Sequence, residues 1–258
     1  MPTLAIEDFI GGQVIFIGLI VALMIGGAIA AWWFDRKRLD ALRAWAASNG
    51  LTFDPHKRSY ALPISLFRKG HSRWARRFCT GRLEQPIAGL DDHPPLELFE
   101  YHYAVTSGSG KNRRTTHYYH PCIAVHLAFE PGDLAIRDEH LGDKLGAAFG
   151  MDDIDFEHAE FSKRYHVTGH DRERVYELMH TRMIDFLLTY RRQRLEIAGD
   201  TLFVHLTGRA DVEDYDRLLG CCRGILALLP RTLVNRERVR RGLDVIIDAG
   251  AAAAKPEV

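Results

Sequence analysis

The chain has no excess of charge of either sign: its 258 residues carry 34 Lys and Arg against 34 Asp and Glu, a formal net charge of zero. A protein devoted to nucleic acid normally shows a strong basic surplus, so no nucleic-acid partner is expected. Cysteine is scarce, with Cys79, Cys122, Cys221 and Cys222 and no CxxC pair among them. That spacing offers no zinc knuckle, and a bridge between the adjacent Cys221 and Cys222 would be strained. The four are read as free thiols of a reducing compartment. Catalytic signatures are missing too: the sequence holds no GxSxG and no HExxH. The run Gly108-Ser109-Gly110-Lys111 lacks the earlier glycine of a Walker A loop, and Asn112 stands where its Ser or Thr belongs, so it reads as a basic hairpin tip. No cofactor and no small-molecule substrate are implied.

The most informative absence is of charge between Ile10 and Trp33, where Gln13 is the only strongly polar side chain. A helix needs about 20 apolar residues, at roughly 1.5 Å each, to cross a bilayer core. The run is long enough to do so with some tilt. Trp32, Trp33 and Phe34 close it, where aromatic rings favour the interface. Glu7 and Asp8 precede the span without any Lys or Arg, whereas Arg36, Lys37, Arg38 and Arg43 follow it. The positive-inside rule then puts the C-terminal side in the cytoplasm. A cleaved secretory signal would need a basic start and a shorter apolar stretch, and neither is present. Small residues at Gly26, Gly27, Ala28, Ala30 and Ala31 suit close approach of another helix, so the partners expected are the lipid bilayer, other membrane proteins or a second copy.

The expected organisation is a short extracytoplasmic N-terminus over 1–9, a transmembrane helix over 10–34, an α+β cytosolic domain over 35–248 and a disordered tail over 249–258. A subdivision near residue 150 is left open. Leu39, Leu42, Trp45 and Ala46 recur at helical spacing in a helix over 36–49, which Gly50 stops. Strands are expected at 51–53, 78–83, 86–90, 96–105, 118–129 and 134–136, with a polar hairpin tip over 106–116. Leu141, Leu145 and Phe149 mark a short helix, and 161–167 alternates as a strand. Asp171 caps a long helix with Val175, Leu178, Met179, Met183, Phe186, Leu187 and Tyr190 on one stripe. Gly199-Asp200 joins a hairpin of 194–197 and 202–206. Asp211, with Asp214 three residues on, caps a helix striped by Tyr215, Leu218, Leu219, Cys222, Ile225, Leu226 and Leu229, which Pro230 ends. A last helix opens in the basic stretch 236–241. Antiparallel strands followed by helices define an α+β fold, one N-terminal transmembrane helix preceding a mixed antiparallel-sheet and helix domain.

The residues Asp155-Phe156-Glu157, Glu160-Phe161, Tyr165 with Val167, Asp171 and the helix over 175–188 with Met183 inside it form a recognisable pattern, to which 202–206 adds. In this pattern the chain resembles an uncharacterised bacterial family of membrane-anchored proteins with a domain of unknown function. The resemblance implies a single-pass or two-pass membrane protein with a cytosolic domain, and it implies no activity.

Three clusters are candidates for chemistry. Tyr118, His120, Cys122 and His126 share a strand face by period two, and His120 and Cys122 lie about 7 Å apart along it, within reach of one metal. His102 on a partner strand is the nearest possible helper. Asp152, Asp153, Asp155, Glu157 and Glu160 crowd one stretch, as hard cations require, yet His158 and Arg164 occupy the positions where an EF-hand needs its glycine and closing glutamate. The segment 67–78 interleaves Arg68, Lys69, Arg73, Arg76 and Arg77 with Phe67, Trp74 and Phe78. Arg68, Lys69, Arg73, Trp74, Arg76 and Arg77 are the candidate binding residues, for an anionic membrane surface. The reading is a membrane-tethered, non-enzymatic binding or scaffold protein at the cell membrane; the alternative is a metal-dependent hydrolase built on the carboxylate or histidine clusters. The topology has a direct test. A C-terminal alkaline phosphatase fusion is expected to be inactive and a C-terminal fluorescent fusion bright; phosphatase activity would reverse the orientation.

Overall fold

The computed structural model describes residues 3–87, 89–90, 92–138, 152–190 and 193–246, without the side chains of 3–17 and 152–153. The expected helix at 141–150, the position of the subdivision near 150 and the tail over 249–258 lie outside the described residues. The chain divides into two compact units, Met1–Trp45 and Ala46–Val258.

The first unit is a helix. Helix α1 runs without a break over Thr3–Ser48, 46 residues or about 69 Å at the usual rise per residue. The expected span and the helix after it are therefore one element, because no proline or glycine occurs between Ala28 and Asn49. From Leu19 to Phe34 the large apolar side chains stand exposed, which marks one candidate membrane-spanning helix. Arg36 lies over the Trp32 ring at 6.0 Å and Lys37 over Trp33 at 5.4 Å, four residues apart in each case, so the first bases after the span are held against the aromatic belt.

Among the described residues the second unit is a nine-stranded sheet, antiparallel at every pairing, with helices. It begins where α1 ends in a Schellman cap. Gly50 takes φ +67°, Leu51 N–H donates to Ala46 O at 2.8 Å and Gly50 N–H to Ala47 O at 3.2 Å. The strands are β1 (Thr52–Asp54), β2 (His71–Arg82), β3 (Pro95–Ser107), β4 (Arg114–His126), β5 (Leu134–Asp138), β6 (Asp152–Asp153), β7 (Tyr165–Gly169), β8 (Arg194–Ala198) and β9 (Thr201–His205). Their order across the sheet is β1-β2-β3-β4-β9-β8-β5-β7-β6. The tight β8–β9 hairpin turns at Gly199, φ +58°, as its Gly-Asp pair predicts.

Period-two alternation sorts the side chains to two faces. One face carries Phe99, Tyr101, Tyr103, Cys122, Ala124 and Phe203. The segment before β2 lays Ile64, Leu66 and Phe67 on it to make a buried aromatic core. The opposite face packs against α5 (Val212–Ala227), which buries every member of its predicted stripe. The α5 N-terminus has the expected capping box: Asp214 N–H donates to Asp211 Oδ1 at 2.9 Å and Asp211 N–H to Asp214 Oδ2 at 3.3 Å.

Several boundaries differ from the sequence expectation, each for a local reason. In place of the strand expected over 86–90, residues 86–87 and 89–90 lie outside any strand: Gly89 has φ +85°, and Ile87 N–H reaches Asp92 O at 2.8 Å. The first turn after His158 is helical, α2 (Ala159–Arg164), because the His158 ring caps Phe161 N–H at 3.3 Å; only then does β7 start. The long helix after Asp171 is split into α3 (Arg172–Leu178) and α4 (Thr181–Thr189). His180 makes the break: its Nδ1 accepts from Met183 N–H at 3.3 Å while its Nε2–H donates to Leu228 O at 2.9 Å. The last helix, α6 (Arg231–Arg240), starts directly after Pro230 rather than at Arg236.

Gly224 on α5 is required by close approach, since a Cβ there would clash with the Phe186 ring of α4. Val175, Leu178, Met179, Met183 and Leu187 are buried across the break in the α3–α4 stripe. Leu187→Ala is accordingly expected to destabilise the protein by about 2–5 kcal/mol, measured by denaturant unfolding. A loss under about half a kcal/mol would put the stripe at the surface.

Candidate functional site

The basic segment that the sequence presents as one patch is divided between the two faces of the sheet, and β2 within it is bulged twice. His71 pairs with Ala104 and Trp74 with His102, so Ser72 and Arg73 share one position opposite Tyr103; likewise Arg77 and Phe78 share the position opposite Phe99. Ser72 and Arg77 take φ +53° and +58°, the left-handed conformation that non-glycine residues rarely hold and that bulges impose.

The consequences differ residue by residue. Arg68 is exposed at the end of a 3-10 turn. Arg73 is a loop clamp: it donates from Nη1 to Phe67 O at 2.8 Å and from Nη2 to Gly70 O at 3.0 Å. Arg77 is only 1% exposed and so leaves the surface set altogether. It lies with Arg76 beside Glu100, a carboxylate with no exposure. Glu100 accepts from Arg76 Nε at 2.6 Å and from Ala210 N–H at 3.2 Å, and stands 3.6 Å from Arg77 Nη1. The bulge is what lets two consecutive arginines reach one carboxylate.

Trp74 lies next to this cluster on the same face and forms a platform. Its indole stacks on the His102 ring at 4.4 Å and 18°. Lys57 Nζ stands 4.6 Å and the Arg76 guanidinium 5.2 Å from its centre. Tyr119, opposite His102 in the β3–β4 ladder, meets the indole edge-on at 6.1 Å and carries Arg209 over its own ring at 5.1 Å. His102 donates from Nδ1 to Ser72 O at 3.1 Å, which leaves Nε2 to accept from His117 Nδ1 at 3.0 Å. Burial lowers the His102 pKa, so the ring stays neutral among the neighbouring bases. Lys57, Tyr119 and Arg209 were not singled out from the sequence. Nothing local marks them, because they come from three separate segments.

Lys69 goes to the other face. It is half-buried, its pKa lowered by desolvation and by Arg194 and Arg137. His120, 2% exposed, donates from Nδ1 to Leu206 O at 2.8 Å, and burial brings its pKa down to about 4. The Cys122 thiol donates to His120 O at 3.3 Å and is buried, as are the other three free cysteines; burial pushes Cys79 and Cys221 up to about 12. His126 is 3.4 Å from Thr201 Oγ1. Asp155, Glu157 and Glu160 are exposed, and Glu160 pairs with Arg164 at 2.7 Å. Among the described residues no three His, Cys, Asp or Glu side chains gather as a metal would need. A cleft of about 610 Å³ lies between the end of β4 and α6, and its Arg174, Arg236 and Arg240 are bonded to Asp171, Glu177 and Glu237.

The fold therefore defines a class: an α+β sheet domain carrying one candidate N-terminal membrane helix, with an aromatic and basic surface on its sheet. No family model matches the sequence, and no curated protein does. Among solved structures the chain is similar to the mycobacterial trehalose monomycolate transport factor A, TtfA, with a TM-score of 0.54 and 12% identity over 83% of this chain and 99% of that one. At that identity the likeness is one of fold.

The Glu100 cluster is testable by itself. Glu100→Ala leaves Arg77 without its buried counter-charge and is expected to cost about 3–5 kcal/mol in denaturant unfolding. A loss below about 1 kcal/mol would show that the carboxylate anchors nothing.

Proposed function

We propose that the protein is a membrane-tethered, non-enzymatic binding protein whose folded unit docks on anionic lipid headgroups through the Trp74 platform, on the cytoplasmic side of the cell membrane. The observation that carries this reading is the stack of cations on aromatic rings around Trp74, drawn from the chain before β2, from β2 and β4, and from the loop after β9. Lys57 and Arg209 are exposed, so their charges are free to meet a negative surface while the rings beneath favour the interface. Each base near an anionic bilayer contributes about 1 kcal/mol, and attachment to a membrane helix supplies a high effective concentration. The solved structure with this fold is named as a transport factor, with which a non-enzymatic role is compatible. Self-association through α1 is compatible with this reading.

The unit from Ala46 onward should co-sediment with vesicles containing phosphatidylglycerol and ignore neutral ones, and salt should release it over the Debye range. Replacing Lys57 and Arg209 by Ser should weaken that partitioning by about tenfold or more. Failure of the unaltered unit to bind anionic vesicles at low salt would remove the platform from membrane binding.

A further inference from the structure

Lys69, the member of the split basic segment on the other face, points to a separate ligand. On the face opposite the Trp74 platform, the ladders align a row of basic side chains across four neighbouring strands. Arg194 of β8 is paired with His205 of β9, and Arg137 of β5 with His166 of β7. Leu134, Ala135 and Ile136 pair with Ile197, Glu196 and Leu195, so the next step of the same register sets Arg137 against Arg194. Residues so opposed lie about 4.5–5.5 Å apart at Cβ, and like charges in that position repel. Lys69 comes to this row from the loop before β2, close enough for its charge to act on Arg194, Arg137, His120 and His205.

The carboxylates nearby offset the row only in part, although the Glu196 charge also acts on Lys69. Asp138 is taken by Arg194, at 3.1 Å. Glu196 accepts from Ser65 through both oxygens, N–H at 2.8 Å and hydroxyl at 2.5 Å. Among the described residues no carboxylate pairs with Lys69 or Arg137, and Arg137 Nη2 is buried without a hydrogen-bond acceptor. His120, 2% exposed, packs its ring 5.1 Å from His205, and its Nε2 has no partner. Tyr103 stacks flat on it at 5.5 Å. Buried polar atoms of a folded protein are normally satisfied, and an orphan donor on a cation is a site for an anion.

From this geometry we infer that Lys69, Arg137 and Arg194, with His120 and His205 at the floor, form a binding site for a phosphate group. Lys69 and the free edge of Arg137 would donate to its oxygens, Arg194 would supply charge while held by Asp138, and a hydroxyl on the phosphate or on its carrier would donate to His120 Nε2. The phosphate could be that of a small phosphate ester or of a lipid headgroup, and the two are separable by experiment.

The full chain in neutral detergent micelles would be titrated with inorganic phosphate, with glycerol 3-phosphate and with phosphatidylglycerol added to the micelles, reading heat and thermal unfolding. Saturable binding of at least one probe is expected. Lys69→Met should weaken it by about tenfold, the loss of one charge-assisted contact, and Arg137→Met by as much or more. The same titrations in a Trp74→Ala background, where the headgroup platform of the other face is removed, read this site alone. Preference for the free esters identifies a small ligand, and response to the doped micelles alone identifies a headgroup. Should Arg137→Met fail to fold, Lys69→Met decides. Absence of saturable binding by all three probes, or full binding retained in Lys69→Met, overturns the site.

Discussion

The carboxylate of Glu100 is the constraint around which the folded unit is arranged. It has no exposure, and a buried charge is tolerable only when paired and fully hydrogen-bonded. Its partners come from two other places in the chain: Arg76 and Arg77 from β2, and the backbone N–H of Ala210 one residue before the cap of α5. One side chain on the third strand thus ties the second strand to the start of the helix that covers the sheet. Tyr215, on the first turn of α5, adds a bond from its hydroxyl to Arg77 O at 3.4 Å.

Bringing Arg76 and Arg77 to one carboxylate requires a bulge. A regular strand would send successive side chains to opposite faces. With the bulge at Arg77, both arginines turn to the α5 face, and Trp74 is left on that same face as the base of a cation-aromatic platform. The bulge at Ser72 and Arg73 accompanies the passage of the preceding loop to the opposite face, where Lys69 meets Arg137 and Arg194. A linear run of bases is thereby divided into a buried ion cluster, an exposed platform, a loop clamp and one member of a basic row.

The second level of organisation is helical. His180 ends α3, caps α4 and reaches the end of α5, so one imidazole with a fixed tautomer sets the angle between two helices and holds both to a third. Gly224 completes that contact by leaving room for Phe186. The candidate membrane helix belongs to a different regime. Its apolar side chains stand exposed, and a bilayer is the solvent that such a surface matches.

Read from the sequence alone, this protein shows what depends on neighbours in the chain. The apolar helix, the αL cap at Gly50, the capping box at Asp211, the Gly199 hairpin and the α+β class all follow from local composition and period, and the structure bears them out. Tertiary structure decided what depends on distant partners. The double bulge of β2 is invisible in its sequence, because Ser72 and Arg77 have no preference for positive φ and are held in it by the pairing of their neighbours with β3. The break at His180 looks like one more turn of a continuous helix until Leu228 supplies the carbonyl it binds. The candidate binding residues divide in the same way. Trp74 and the bases around it are legible as a run, but Lys57, Tyr119, Arg209, Arg137 and Arg194 join them only across strands far apart in sequence. Side-chain chemistry is written residue by residue, whereas the face on which it appears is set by register, and register is a property of paired strands.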